Sequence, residues 1–315
     1  MNPQLKLVAE QQSGVFSRQQ AIAGGYTPGQ IRRRLADGRW VRIRHGQYGE
    51  RLDLSALPPW EQARQHHRRL VHAVMQSWRA GAIAVSHQSA LALHGLPLWG
   101  LDLGQVHVTR LDERAGGVIA GVRHHVGQLA PVDLIEADGL VTTTVARGVL
   151  ETACTASFEA AVVIVDAALR QHTITPEELS RLLGVIEYWP GSATARAAVD
   201  FGDGRSESVG ESRLRVLMHT YGLPTPVPQV EFHDADGLIG RVDFYFPQYD
   251  TVVEFDGRMK YGGGSADVLV REKVREDRLR ALGLQVVRAD WTDFDRPRRL
   301  VAGINQAFTR ARPAA

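Results

Sequence analysis

The sequence predicts an α/β protein of the α+β multidomain kind, and three stretches carry that prediction. Residues 1–50 hold short helix signals followed by one alternating strand, residues 58–190 mix apolar helices with isolated strand-like runs, and residues after 205 read as helix, strand, strand, helix, strand. A chain of 315 residues is long enough for two or three domains with cores of their own. Its 44% hydrophobic content is ordinary for globular proteins. No apolar run approaches the roughly eighteen residues that a membrane span needs, and the opening Met1-Asn-Pro-Gln-Leu-Lys6 has no signal-peptide core. A cytoplasmic location without a membrane partner is the expectation.

The first domain is expected over 1–52. Leu5, Leu7 and Val8 mark a short helix ending near Ser13-Gly14. Ser17 is a good N-cap for a second, which Gly24-Gly25 stops. Thr27 caps a third with Pro28 at its first position, running to Asp37 and closed by Gly38. Two short helices joined by a glycine turn make a helix-turn-helix. Trp40-Val-Arg-Ile-Arg44 then alternates apolar and basic residues, and His45-Gly46 turns the chain back toward Gln47-Tyr48, which reads as a β-hairpin wing. Residues 1–50 carry eight Lys or Arg against three Asp or Glu, whereas residues 201–315 carry seventeen of each, so the positive field of a chain with net charge +2 sits at one end. The third helix is therefore expected to enter the major groove of double-stranded DNA with Gln30, Arg33 and Arg34. Arg42 and Arg44 of the wing would grip the adjacent backbone, and one arginine of 32–34 would face the protein in a salt bridge.

A second domain is expected over 58–190. After Leu57-Pro-Pro59 a helix is predicted over 60–79, with Leu70, Val71, Val74, Met75 and Trp78 as its buried stripe. Helices are also predicted over 158–170 and 175–183, the latter starting at Thr175-Pro-Glu-Glu, and a less regular connection over 191–208. Ser86, His87, Ser89 and His94 have no acid in a triad-like order and read as caps and packing. The twelve histidines lack an ordered metal-ligand spacing and read as solvated or packed side chains, while the single Cys154 reads as a buried, inert thiol.

The third domain, expected over 205–312, holds the candidate chemistry. Two strands, 241–246 and 251–256, flank the turn 247–250. Alternation puts Val242, Phe244 and Phe246 on one face and Arg241, Asp243 and Tyr245 on the other; Val253 and Phe255 likewise oppose Val252, Glu254 and Asp256. Pairing Phe246 with Thr251 sets Asp243 across from Glu254, with Cβ atoms about 5 Å apart. Two carboxylates that close repel unless one is protonated or a cation lies between them, and Mg²⁺ (or Mn²⁺) suits one or two carboxylates completed by water and phosphate. The same register places Arg241 opposite Asp256. Tyr261-Gly-Gly-Gly-Ser265 lacks the ending of a nucleotide-binding phosphate loop. Arg271, Arg275 and Arg278 share one helix as either a solvated or a phosphate-contacting face.

Two resemblances follow from these residues. The winged N-terminus, with Val85-Ser-His-Gln-Ser-Ala-Leu-Ala-Leu-His-Gly-Leu-Pro97, Val106-His-Val-Thr109, Gly121-Val-Arg-His-His125 and Val141-Thr-Thr-Thr-Val-Ala-Arg147, resembles AbiEi-type abortive-infection antitoxins over about 1–180. That implies DNA binding and a cognate toxin as partner. Glu211, Arg241-Val-Asp243, Glu254-Phe-Asp-Gly257, Arg278-Leu279, Leu282-Gly283 and Val286-Val-Arg288 before Trp291 resemble very-short-patch-repair endonucleases of the PD-(D/E)XK superfamily, over about 210–294. This resemblance implies Asp243 and Glu254 as metal ligands, with Glu211 assisting and Asp256 in the same cluster. Where the superfamily has a lysine, this chain has Asp256; Lys260 or Lys273 are the substitutes. Two functions stand side by side: a metal-dependent DNA endonuclease in phage defence or repair, and a non-catalytic regulator or antitoxin that keeps the nuclease shape.

Overall fold

The computed structural model describes residues 1–78, 81–112, 114–257 and 266–311. Contacts divide the chain into two compact units, Met1–Phe201 and Gly202–Ala315. In the described residues no helix is long and apolar enough to cross a membrane.

The first unit opens with α1 (Pro3–Glu10), β1 (Val15–Ser17), α2 (Arg18–Ala23), α3 (Pro28–Ala36), β2 (Trp40–Arg44) and β3 (Gln47–Glu50). The helix starts are those the caps dictate: Ser17 with Gln20 and Thr27 with Gln30 both close reciprocal capping boxes. Strand order is β1-β3-β2. The wing hairpin is thus extended by a third strand too short to leave an alternation signal. Phe16, Ile31, Trp40 and Leu5 are fully buried, and Trp40 takes the edges of Phe16 and Tyr26 at centroid distances of 4.7 and 4.9 Å.

The unit continues with α4 (Pro59–Met75), β4 (Ile83–Val85), α5 (His87–Leu93), β5 (Val106–Arg110), β6 (Gly117–Ile119), β7 (Val122–His125), β8 (Leu134–Ala137), β9 (Leu140–Thr143), α6 (Val145–Ala153), α7 (Phe158–Arg170), α8 (Pro176–Val185) and α9 (Ser192–Phe201). The six strands form one mixed sheet, ordered β6-β7-β5-β4-β9-β8. Residues 191–208 were expected to be irregular, yet α9 occupies most of them; Ala195 and Ala198 supply the buried contacts of a stripe too small to register as hydrophobic. Cys154 is half-buried, and burial pushes its thiol up to about 11.

One carboxylate ties the winged part to the sheet. Asp138, in the Asp-Gly turn between β8 and β9, accepts two bonds from Arg68 at 2.7 Å, one from Ser13 Oγ at 2.9 Å, and lies 2.7 Å from His72 Nε2. Burial alone would raise its carboxyl, but these partners hold it at about 2.

The second unit comprises α10 (Val209–Thr220), β10 (Val227–Asp234), β11 (Gly237–Phe246), β12 (Thr251–Asp256), α11 (Ala266–Ala281), β13 (Gln285–Asp290) and α12 (Pro297–Arg310). Its sheet runs β10-β11-β12-β13, antiparallel except for the parallel β12/β13 pair that α11 connects. Phe244, Phe246 and Val253 pack with Leu214, Leu217, Met218 and Ile304, while Val252 packs with Ile239, Leu279 and Leu284. Both faces of the sheet are therefore covered.

The predicted register is found: Phe246↔Thr251, Tyr245↔Val252 and Phe244↔Val253. The predicted face of Val242 is not, because Val242 clusters with Val252 and Leu279 rather than with Phe244. The β10/β11 ladder skips Gln229, whose φ is 58°, and this left-handed residue interrupts the pleat beside Asp243.

Candidate functional site

β11 and β12 bring Asp243 and Glu254 to one cleft of about 490 Å³, which Asp256, Glu272, Arg241, Arg275 and Arg288 also line. Asp243 Oδ2 accepts the Phe255 backbone N–H at 2.7 Å. Burial pushes its carboxyl up to about 6; the charges of Glu211 and Glu254 push the same way, and the Phe255 N–H and Arg275 oppose them. Glu254 Oε1 accepts from Arg275 Nη2 at 2.6 Å, and the same nitrogen donates to the Arg241 carbonyl at 2.8 Å. Arg275 reaches this point over Gly240 (φ 153°), where an added Cβ would stand 2.6 Å from its Nε.

Glu211 sits in the first turn of α10. Gly210 lets that turn approach β12, since a methyl there would collide with the Phe255 ring. The carboxylate then caps its own helix: Oε2 accepts from the Glu207 N–H at 2.8 Å and from Gln229 Nε2 at 2.9 Å, and Oε1 from Ser208 Oγ at 2.8 Å. Glu211 is not among the residues lining the cleft. Its effect on Asp243 is that of a nearby charge.

Asp256 lines the cleft at the end of β12, laddered to Asp290 of β13. The β11/β12 ladder stops at Phe244↔Val253, so neither the predicted pairing of Asp243 with Glu254 nor that of Arg241 with Asp256 is part of it. Arg241 Nη2 instead meets Glu207 Oε1 at 2.6 Å. Lys260 lies outside the described residues, and Lys273 is exposed on α11. The donor set fits a hard divalent cation, with two carboxylates from neighbouring strands facing one cleft. Each already has one oxygen engaged by the protein, however, and on Glu254 the partner is itself a cation.

The basic module is sorted by burial. Arg33 on α3 and Arg42 on β2 are exposed. Gln30 is exposed too, but its Oε1 is turned back to the Thr27 N–H at 2.8 Å. Arg34 faces the protein, though not through the expected salt bridge: its guanidinium lies 5.1 Å from the Tyr26 ring and 5.4 Å from the Trp40 ring. Arg44 also turns inward, donating from Nη2 to the Ala120 carbonyl at 3.0 Å. Its wing position was expected to place it on DNA, but β2 ends where the β6/β7 turn abuts it. Of the arginines expected on DNA, Arg33 and Arg42 are the two that face outward, and Arg32 beside Arg33 on α3 is exposed as well.

Two proteins of Mycobacterium tuberculosis, from strains CDC 1551 / Oshkosh and ATCC 25618 / H37Rv and both named only as uncharacterized, are each 33% identical to this chain over 190 residues, which is 60% of it and 69% of theirs. The chain belongs to their family. Residues 3–50 match the family model described as transcriptional regulator, AbiEi antitoxin. That match covers the winged module, from α1 to the end of β3. In this family member the sequence also hid Arg275 of the cleft and Gln229, which holds Glu211. Arg275 was legible only as one of three arginines on a charged helix, and Gln229 carried no signal because its role depends on a backbone reversal.

Proposed function

We propose that this protein is a DNA-binding transcriptional regulator of the AbiEi antitoxin type, reading duplex DNA with α3 and the β2/β3 wing and acting beside a cognate toxin. The observation that carries the reading is the sorting of the arginines: Arg33 and Arg42 face solvent on helix and wing, while Arg34 stacks on Tyr26 and Trp40 and holds the helix against the wing strand. Arginines on these two elements can meet phosphates on either side of a groove. The family match over residues 3–50 supports the same reading. Fluorescence anisotropy of the full chain on the duplex upstream of its own coding region tests it. Sub-micromolar binding that competitor DNA of unrelated sequence does not abolish is the expected result, and no binding at low salt would overturn it.

A second activity is supported by the shared cleft of Asp243 and Glu254 and by the order α10, β10, β11, β12, α11, β13, which agrees with the endonuclease resemblance. In this reading Mg²⁺ or Mn²⁺ held by Asp243 and Glu254 would supply Lewis acidity toward a phosphodiester. Asp243 and Glu254 would anchor the ion, Arg275 neutralises charge at the cleft, and Asp256 stands where a lysine would orient water. Plasmid nicking by the wild type with Mn²⁺, lost on chelation and in Glu254→Gln, would support it. An inert wild type leaves the regulator reading alone.

A further inference from the structure

We propose that His87, His107 and His125 form a binding site for one divalent transition-metal ion of the zinc class. They come from three elements: the start of α5, β5 and β7. The parallel β5/β7 register pairs Val108 with His124 and Thr109 with His125, which brings His125 beside β5. One ring nitrogen from each histidine lies within 4.8 Å of the other two. His125 Nε2 and His107 Nδ1 are already 3.0 Å apart, and the His87 and His125 rings stack with centroids 3.6 Å apart. Tetrahedral zinc with Zn–N bonds of about 2.0–2.1 Å sets its nitrogens about 3.3 Å apart. Closing the site therefore requires the stacked rings to splay until their in-plane lone pairs converge.

The surroundings orient the ligands. His87 and His107 are each 7% exposed, and the interior favours the neutral imidazole that coordinates metals. His87 Nδ1 lies 3.0 Å from Ser86 Oγ and 3.5 Å from Glu151 Oε2, and Arg147 Nε fixes that carboxylate at 2.9 Å. A carboxylate behind the non-ligating nitrogen is what aims a metal-bound histidine. It leaves His87 Nε2 as the nitrogen available to coordinate. Behind His107, Gln88 Nε2 is 2.9 Å from Nε2 while Gln88 Oε1 is buried without a partner. Turning that amide gives a His107 Nε2–H its acceptor and frees the Nδ1 lone pair, at the loss of the 3.2 Å bond to the Asp102 carbonyl. His87 also holds φ 54°, a left-handed backbone that costs a non-glycine residue about 1 kcal/mol or more and recurs where side chains are aimed for function.

An all-nitrogen set selects Zn²⁺, Co²⁺ or Ni²⁺ over Mg²⁺, so this site differs chemically from the carboxylate cleft. With three imidazoles the fourth position is left to water. The ion would cross-link helix and sheet in the first unit.

The test is titration of the full chain with Co²⁺, followed by visible absorption. The wild type and Asp243→Asn should develop the same intense d–d band, saturating at one equivalent and displaced by Zn²⁺. His107→Asn and His125→Asn should weaken binding by about 10–100-fold or more. X-ray absorption on the zinc-loaded wild type should count three imidazoles and needs no variant to fold. A wild type without the band, a band that survives in a folded His107→Asn or His125→Asn chain, or fewer than three imidazoles on zinc would each overturn the proposal, leaving the three residues a cluster of hydrogen-bonded histidines.

Discussion

Arg275 Nη2 stands 2.6 Å from Glu254 Oε1, so a cation of the protein already neutralises one of the two carboxylates that a metal would need. Both side chains are largely buried, at 22% and 13% exposure. Arg275→Ala should cost about 2 kcal/mol, the scale of a hydrogen bond between charged groups, and should tighten Mn²⁺ binding at the cleft. Urea denaturation and titration calorimetry read the two effects. Weaker Mn²⁺ binding in the variant would show that Arg275 organises the site rather than competing for it.

The Asp243 carboxyl gives the cleft a pH dependence of definite sign. Its folded value of about 6 lies above its ordinary 3.8, so the folded protein binds the extra proton. This group's stabilising contribution is full below 3.8 and is lost as pH rises through 6. Asp243→Asn should therefore stabilise the metal-free protein near pH 7.5 by about 2 kcal/mol and flatten its stability profile between pH 4 and 6. Divalent-ion affinity in the wild type should fall as pH drops below 6, because the proton and the ion compete for one carboxylate. Denaturation midpoints across that range, with and without Mn²⁺, check both statements.

Asp138 behaves in the opposite sense. Its folded value of about 2 lies below 3.8, so the stability it confers is present above 3.8 and is lost as pH falls through 2. Asp138→Asn suits the left-handed turn at φ 55° but weakens the links to Arg68, His72 and Ser13. A loss of about 1.5–3 kcal/mol at pH 7 is expected, the scale of hydrogen bonds to a charged group. The variant should also show less additional destabilisation in acid. Thermal melts at pH 7 and pH 3 measure both.

Much of this architecture was legible because it is local. Ser17, Thr27-Pro28, Thr175-Pro176 and the turn before Thr251 each fix an element within a few residues, and the structure places helices and the β11/β12 register where those signals point. What escaped depends on distant partners. Arg34 and Arg44 look alike on their elements, and only packing against Trp40 and Ala120 turns them inward. The three histidines sit on separate segments whose spacing matches no metal motif, so the sheet alone unites them. β10 was missed because Pro228 and a mixed polar pattern mask a strand whose partner comes later in the chain. The acidic cleft was half legible: the sequence named its carboxylates but not the arginine that occupies one of them.

The stack of Arg34 on Tyr26 and Trp40 predicts a division of labour among neighbouring arginines. Arg34→Ala should lower the stability of the winged module by about 1 kcal/mol, the scale of a partly exposed cation–π contact. Arg33→Ala should leave stability unchanged within about 0.5 kcal/mol. Guanidinium denaturation of both variants decides it, and equal losses would contradict the outward placement of Arg33.

The salt dependence of duplex binding tests the DNA-reading module most directly. Plotting the logarithm of the association constant against the logarithm of salt concentration for wild type, Arg33→Ala, Arg42→Ala and the double variant gives slopes that count released counterions. Each single change should reduce the slope by about 1 and the pair by about 2, while Arg44→Ala, whose guanidinium is bonded to the Ala120 carbonyl, leaves the slope at the wild-type value. A slope that Arg33 and Arg42 do not change, or one that Arg44 alone changes, would contradict the account.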